Sequence, residues 1–337
     1  MKKIINDPNN VVDEMLKGIA KANKDIIYSE GYGVISRKMK SNKVGVISGG
    51  GSGHEPAHAG YVGKGMLDAA IAGNVFSSPD PERIMEGIRQ ADGHKGVLMI
   101  IKNYSGDYMN FTMASEIIGM EDVEVEYVVV KDDVAVEDST FSTGRRGIAG
   151  TVFVHKIAGA KAEAGANLQE VKRVAEKTIE NLRSMGMSFS SCIIPAAGKP
   201  GFTLAENEME VGMGIHGEPG VGRSEVKTSK EIAEILLSNI IGDFEKTTDI
   251  KNQEVALMVN GLGATPLMEL FILNNDLHDL LNRNGIKVYK TFVGNYMTSL
   301  EMAGCSVTLL KLDDELKECL DAPCDAPFFR VNNERTI

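Results

Sequence analysis

Three stretches of the 337-residue chain hold side chains whose types and spacing suit chemistry on a small polar molecule. The first runs Gly49-Gly50-Gly51-Ser52-Gly53-His54-Glu55-Pro56. A glycine run lets a ligand approach peptide N–H groups, and this one delivers an imidazole and a carboxylate. The second is Lys102-Asn103-Tyr104-Ser105-Gly106-Asp107, a cation, an amide, a phenol and a carboxylate in close succession. In isolation Asp107 reads as a turn residue or helix cap, and Lys102 reads equally as a surface residue closing a strand. Behind a buried strand, the same carboxylate can be held ionised as a general base. The third is Gly212-Met213-Gly214-Ile215-His216-Gly217-Glu218-Pro219-Gly220. Its glycines leave the His216 ring unencumbered, and a neutral imidazole, the majority form at pH 7 for a pKa of about 6.5, is a competent nucleophile toward a carbonyl. Glu208 and Glu210 precede it and either orient it or sit exposed.

Competing motif readings fare worse. His54-Glu55-Pro56-Ala57-His58 has the form H-E-x-x-H, the zinc-hydrolase signature. That chemistry needs both imidazoles on one helical face, and a proline inside the helix removes a hydrogen bond and clashes with the preceding turn. Pro56 instead suits the first turn of a helix, with His54 left in the loop and His58 a structural, hydrogen-bonding residue. No metal is expected. The glycines do not complete G-x-G-x-x-G, no segment matches G-x-x-x-x-G-K-[ST], and Ser52 lacks the flanks of a nucleophile elbow. Arg145-Arg146 reads as a clamp for phosphate or a partner's carboxylates, or as a basic step at a helix start that is surface or an interdomain salt bridge. Met99, Met109 and Met113 read as core filling.

The elements that must position these residues follow from periodicity. Asn9 or Asn10 caps an amphipathic helix carrying Val11, Met15 and Ile19. Strands are predicted over Tyr32–Ser36, Lys43–Ser48, Gly96–Lys102 and Val123–Val130, with helices over Pro81–Gln90 and Phe111–Ile118. From Gly147 to Gly186 helix formers dominate, with a break at Gly165-Ala166-Asn167, so two packed helices are expected. A strand over Ser190–Ile194 then enters Pro195-Ala196-Ala197-Gly198-Lys199-Pro200 and a long loop through Gly222. Beyond it come a helix over Ser229–Ile241, a strand over Glu254–Val259, a helix over Pro266–Asn284 and a strand over Ile286–Val293. The fold class is α/β: two α/β domains with mainly parallel or mixed sheets flanked by helices, residues 1–185 and 186–337. In such sheets, ligands bind beyond the carboxyl ends of the strands.

Composition narrows the partners. A net charge of −11, with 43% hydrophobic and 25% charged residues, is that of an ordinary globular protein with no basic stripe for nucleic acid and no polybasic membrane patch. Small molecules are the expected ligands. The four cysteines form no C-x-x-C pair, the N-terminus turns polar after Ile5, and no run is long enough to span a bilayer, so a reduced, cytoplasmic chain is expected.

Taken together, Ser48–Pro56, Lys102–Asp107, Pro195–Pro200 and Gly214–Gly220 resemble the sugar-binding K subunits of bacterial dihydroxyacetone kinases. The likeness continues through Asn260-Gly261-Leu262-Gly263-Ala264-Thr265-Pro266, Tyr296-Met297-Thr298-Ser299-Leu300 and Thr308-Leu309-Leu310-Lys311. The resemblance implies that His216 attacks the ketone carbon and holds the sugar as a covalent hemiaminal, which admits short ketoses or aldoses and rejects glycerol. It implies that Asp107 accepts the proton of the hydroxyl being phosphorylated, with His54 its acid/base partner. Gly51, Ser52 and Gly53 then supply loop contacts, and Lys102 holds a sugar hydroxyl. It further implies a homodimer that binds no nucleotide itself. Its partner is a separate L subunit carrying ADP/ATP with Mg, rephosphorylated by a carrier of the phosphoenolpyruvate sugar phosphotransferase system. The rival within the same family is a dihydroxyacetone-binding coactivator of transcription that phosphorylates nothing. A zinc hydrolase is the outside reading, revived only by stoichiometric zinc.

Overall fold

The computed structural model describes residues 2–137 and 144–332. The chain forms two compact units, and neither is continuous in sequence. The first comprises Met1–Val130, Thr151–Ile179 and Asp314–Ile337, the second Lys131–Gly150 and Glu180–Asp313. Where the sequence reading set a single boundary at 185/186, the chain passes between these units after Val130, Gly150, Ile179 and Asp313.

The first unit begins with α1 (Val11–Ala22), behind Asn10 at its N-cap, then β1 (Ile26–Ser29), β2 (Val34–Arg37), β3 (Gly45–Ser52) and β4 (Ala69–Val75). It continues with α2 (Pro81–Ala91), β5 (Val97–Lys102), α3 (Ser105–Ile118), β6 (Val125–Val130), α4 (Thr151–Glu163) and α5 (Leu168–Glu180). The sheet order is β1-β2-β4-β3-β5-β6, parallel from β4 through β6 and antiparallel at the β1/β2 and β2/β4 edge. Asp80 accepts from the Arg83 N–H at 3.0 Å and Pro81 occupies the first turn, a start that presets the backbone of α2. Ile84, Ile88 and Phe111 from α2 and α3 bury against Ile47, Ile71 and Met99 on one sheet face. On α4 every residue from Thr151 to Ala160 is buried, and the helix packs against β3 and β5. Such a helix shows no apolar stripe because no side of it meets water.

The second unit holds β7 (Leu182–Ser188), β8 (Glu208–Val211), β9 (Gly222–Glu225), α6 (Ser229–Phe244), β10 (Glu254–Gly261), α7 (Leu267–Arg283), β11 (Lys287–Gly294) and β12 (Gly304–Leu312). Its sheet order is β11-β10-β12-β7-β8-β9, and only β10/β11 is parallel. Leu236, Ile240 and Phe244 of α6 and Leu273 and Leu277 of α7 cover Met185, Leu257 and Val307 of the sheet. The Thr228/Glu231 capping box starts α6. The chain then returns to the first unit as α8 (Asp314–Asp321) and the hairpin β13 (Cys324–Ala326) and β14 (Phe329–Val331). Lys156 of α4, fully buried, donates to the Cys319 carbonyl on α8 at 2.5 Å, and Glu315 of α8 pairs with Lys161, Arg173 and Lys177.

The α/β class stands, with both sheets mixed. Several local expectations do not. The glycine run is strand rather than loop as far as Ser52, paired in parallel with β4. Pro56 begins no α-helix: residues 55–58 form a turn, and only a short 3-10 segment, Ala59–Tyr61, follows. The predicted strand at Ser190–Ile194 is replaced by β7, eight residues earlier in the chain at its start. Met99 is buried, whereas Met109 and Met113 lie on the exposed side of α3. Among the described residues no helix is long and apolar enough to cross a membrane.

Candidate active site

In the first unit, Lys102 and Asp107 are carried by regular backbone. Val97-Leu98-Met99-Ile100-Ile101 is apolar throughout and buried on both faces, as a central parallel strand requires, so its last residue, Lys102, is buried with it. The chain turns through Asn103 and Tyr104 into α3, whose first turn contains Asp107. That position sets the carboxylate at the positive end of the helix dipole. Lys102 Nζ lies 3.9 Å from Asp107 Oδ2, an ionic contact longer than a charge-assisted hydrogen bond, and 5.6 Å from the centre of the Tyr104 ring. Asp107 Oδ1 accepts no hydrogen bond from the described residues. The strand-closing surface reading of Lys102 is therefore replaced by a buried ammonium.

The glycines of β3 make room for this pair. A Cβ on Gly50, whose φ is +148°, would stand 2.7 Å from Lys102 Nζ and 3.1 Å from Asp107 Oδ2. One on Gly51 would press into the backbone of Phe76 and Ser77 at 2.7–2.9 Å. Gly50, Gly51, Ser52, Glu55, Ala57 and His58 line a narrow cavity beside the strand end. Ser52 Oγ is committed to the Gly73 carbonyl at 2.8 Å, and the Gly53 N–H donates to Glu55 Oε1 at 3.0 Å. His54 is buried and its ring stacks on Phe76, with centroids 5.2 Å apart and planes within 19°. The Glu55 carboxyl is pushed up by burial, against the pull of the Gly53 N–H. His58 is not the hydrogen-bonding residue expected: neither ring nitrogen has a partner among the described residues, and the ring meets that of His155 edge to face at 5.1 Å. Among the described residues no group of three His, Cys, Asp or Glu side chains could hold a metal ion.

In the second unit His216 sits in a loop held by charge. His216 Nδ1 lies 2.8 Å from Glu218 Oε1, and the His216 backbone N–H donates to Glu218 Oε2 at 2.9 Å. Burial acts to raise the Glu218 carboxyl, but the His216 ring and the Arg146 charge outweigh it and hold it down at about 2. An ionised carboxylate only accepts, so Nδ1 must carry a proton, and in the neutral ring the lone pair is then left on Nε2. Arg146, fully buried, donates to the Gly212 carbonyl at 2.7 Å and the Pro219 carbonyl at 3.4 Å, and pairs with Asp133 at 2.7 Å. Gly214 has no space for a Cβ, which would meet Glu218 Oε2 and stand 2.6 Å from Arg146 Nη1.

Sequence reasoning missed Glu218 as the partner of the imidazole and Arg146 as the residue that ties the loop, and the loop spacing held the signal for the first, since Glu218 follows the imidazole by two. Glu210 accepts instead from Gly220 N–H and Arg223, and Glu208 from the Ala205 N–H. Arg145 is likewise no phosphate clamp: it makes a bidentate pair with Asp243 at 2.5 and 2.8 Å within the second unit.

Comparison with known proteins supplies the context for this geometry. Residues 17–328 match the Dak1 domain. The chain is 53% identical over 317 residues to the dihydroxyacetone-binding subunit DhaK of PTS-dependent dihydroxyacetone kinase 1 from Listeria innocua, covering 94% of this chain and 95% of that one. Among solved structures, a dihydroxyacetone kinase operon co-activator, DhaQ, superposes with a TM-score of 0.88 at 38% identity, covering 94% of this chain and 98% of that one. The dihydroxyacetone kinase of C. freundii in complex with AMP-PNP and Mg2+ superposes with a TM-score of 0.86 at 32% identity, covering 98% of this chain and 61% of that one. With a family match spanning nearly its whole length, the chain belongs to the Dak1 family, alongside the dihydroxyacetone-binding subunits of dihydroxyacetone kinases.

Proposed function

We propose that this chain is the dihydroxyacetone-binding K subunit of a phosphoenolpyruvate-dependent dihydroxyacetone kinase, acting in the cytoplasm as a homodimer. The observation that carries the reading is the His216–Glu218 pair at 2.8 Å. With the proton fixed on Nδ1, Nε2 attacks the ketone carbon: the N–C bond forms, the carbonyl π pair moves to oxygen, and that oxygen takes a proton. The imidazolium returns a proton through Nδ1, and Glu218 stabilises the charge while it lasts. A hemiaminal demands a carbonyl, so a triose ketone is retained and glycerol is not.

Asp107 then accepts the proton of the hydroxyl that attacks phosphorus. Its support is the buried Oδ1, which has no donor among the described residues, and the ammonium of Lys102 nearby, which is suited to hold a sugar oxygen. His54, its ring oriented by Phe76, serves as the acid/base partner. Gly51, Ser52 and Gly53 contribute close backbone approach rather than side-chain contacts, since the Ser52 hydroxyl already serves Gly73. The phosphoryl group comes from an ADP/ATP–Mg site on a separate L subunit, recharged by a phosphotransferase-system carrier, and the product is dihydroxyacetone phosphate.

One observation favours a second reading, the likeness to the DhaQ co-activator over 94% of this chain. The test mixes the protein with dihydroxyacetone, phosphoenolpyruvate and reconstituted L and carrier subunits, with an ATP-only control lacking L. Product formed only with L is expected, with His216→Ala losing covalent capture and Asp107→Asn losing transfer while still capturing sugar. Sugar bound without product would favour the co-activator.

A further inference from the structure

Helix α7 of the second unit changes character partway along. Its first seven residues, Leu267-Met268-Glu269-Leu270-Phe271-Ile272-Leu273, are apolar at every position but one, whereas beyond them the exposed positions carry Asn275, Asp279 and Asn282. Leu270 and Leu273 face inward and join the core, as do Leu277 and Leu281 further along. Leu267, Met268, Phe271 and Ile272 do not: they are 57%, 72%, 56% and 50% exposed. A helix apolar on all sides is one that is covered on all sides, so the first two turns of α7 carry a second apolar face that this unit leaves in water. Side chains of this size at half exposure leave on the order of 100 Å² each, and a joined patch of about 400 Å² is of the size that is often functional.

Beside this face lies a cavity of about 210 Å³. Phe189, Ile232, Leu273 and Cys305 line it together with Lys227 and Glu269, and Ile272 belongs to both the cavity and the exposed face. Phe271 is exposed and is not one of the residues around the cavity. A phenyl ring fits such a volume, since an apolar cavity of about 150 Å³ holds benzene. One short stretch of surface thus presents a protruding ring, an apolar hole that this ring does not fill, and one charge of each sign at the hole. A contact between identical surfaces needs this combination, because a single patch has to supply both halves of every pair. An unrelated partner would need only the ring or only the hole.

We propose that the first two turns of α7 and the cavity beside them form the contact between two copies of this chain, related by a two-fold axis. Phe271 of each copy enters the cavity of the other, Leu267, Met268 and Ile272 close around it, and Lys227 of each copy faces Glu269 of the other. A standard contact hides on the order of 800 Å² per copy, about twice what the four side chains supply, so the polar rim takes part as well. The other exposed apolar face, Met109, Met113 and Met120, belongs to the helix that Asp107 opens, where the phosphoryl donor has to arrive. This inference rests on the homodimer reading above and gives it a location.

The test is analytical ultracentrifugation of the full chain over a concentration series, on the wild type, Phe271→Asp, Met113→Asp, Lys227→Glu and the double variant Lys227→Glu/Glu269→Lys. Wild type and Met113→Asp are expected as dimers. Phe271→Asp is expected to raise the dimer dissociation constant about 100-fold, the size of a lost aromatic anchor. Lys227→Glu sets like charges against each other and is expected to raise it about tenfold, and the double variant to return within about threefold of wild type. A monomeric wild type sinks the homodimer reading, and the proposal with it. A dimeric wild type whose Phe271→Asp variant associates equally well, or which Met113→Asp dissociates, overturns the proposal and leaves the homodimer standing. Should Phe271→Asp fail to fold, the charge exchange decides the matter: absence of rescue in the double variant overturns the proposal.

Discussion

The two clusters of reactive side chains are built on opposite principles. In the first unit, Lys102 closes a central strand and Asp107 opens a helix, so the covalent backbone of regular elements places both. In the second unit, His216 belongs to a loop with no regular structure, and its place is set by Glu218 and by Arg146, whose guanidinium gathers two loop carbonyls and Asp133. The first arrangement is sensitive to added atoms, since the glycines of β3 leave no room beside it. The second is sensitive to removed charge, since the buried guanidinium of Arg146 and the Glu218 carboxylate tie the loop together.

The sharpest way to break the contrast is Arg146→Met, which strands Asp133 as a buried carboxylate. We expect a loss of about 3–5 kcal/mol in denaturant unfolding, together with loss of covalent sugar capture. Next is Glu218→Gln, which frees the His216 tautomer and is expected to slow capture about 100-fold, measured by the rate of adduct formation. The same variant carries a pH signature. Glu218 has its folded pKa depressed to about 2 from 4.5, so its contribution is present above pH 4.5 and is lost as pH falls through 2. Between pH 6 and pH 3 the wild type should lose about 2 kcal/mol more than Glu218→Gln.

Gly50→Ala tests the other principle. The new Cβ falls 2.7 Å from Lys102 Nζ on a backbone with φ +148°, and we expect about 1–3 kcal/mol of destabilisation and a drop in transfer larger than that in capture. The smallest effect is assigned to Glu208→Gln. This carboxylate accepts from the Ala205 N–H, and stability and capture should both stay within about 0.5 kcal/mol of wild type.

Much of this was legible in the residues. The unbroken apolar run of β5, the Asp80-Pro81 start of α2 and the Thr228/Glu231 box of α6 each follow local rules, and the structure keeps them. Reading failed where tertiary contacts override local preference. Ala69-Ala70-Ile71-Ala72-Gly73-Asn74-Val75 has little β-branched character, yet it forms β4 because both its edges are paired, antiparallel with β2 and parallel with β3. The glycines of β3 look like a loop, but a Cβ on Gly49 would strike the Ile71 carbonyl and Phe111, so the strand needs them. Arg183 and Ser184 disguise β7, and their burial is made tolerable by Asp243 and Thr308, which lie far along the chain. Glu218 was visible, but which of three nearby carboxylates meets the imidazole depends on the glycine turn between them, where the Gly217 N–H donates to the Gly214 carbonyl.

The return of the chain to its first unit has a consequence for biosynthesis. Helix α8 supplies the Cys319 carbonyl to the buried ammonium of Lys156, and its Glu315 gathers Lys161, Arg173 and Lys177. A ribosome that has made α4 and α5 must still translate the whole of Glu180–Asp313 before α8 exists, a delay on the order of ten seconds at ordinary elongation rates. Through that interval the nascent first unit holds a sheet whose covering helix has a lysine pointed at an acceptor not yet synthesised, while the second unit acquires its strands and both its helices and is complete before α8 emerges. The unit begun first is thus the one finished last.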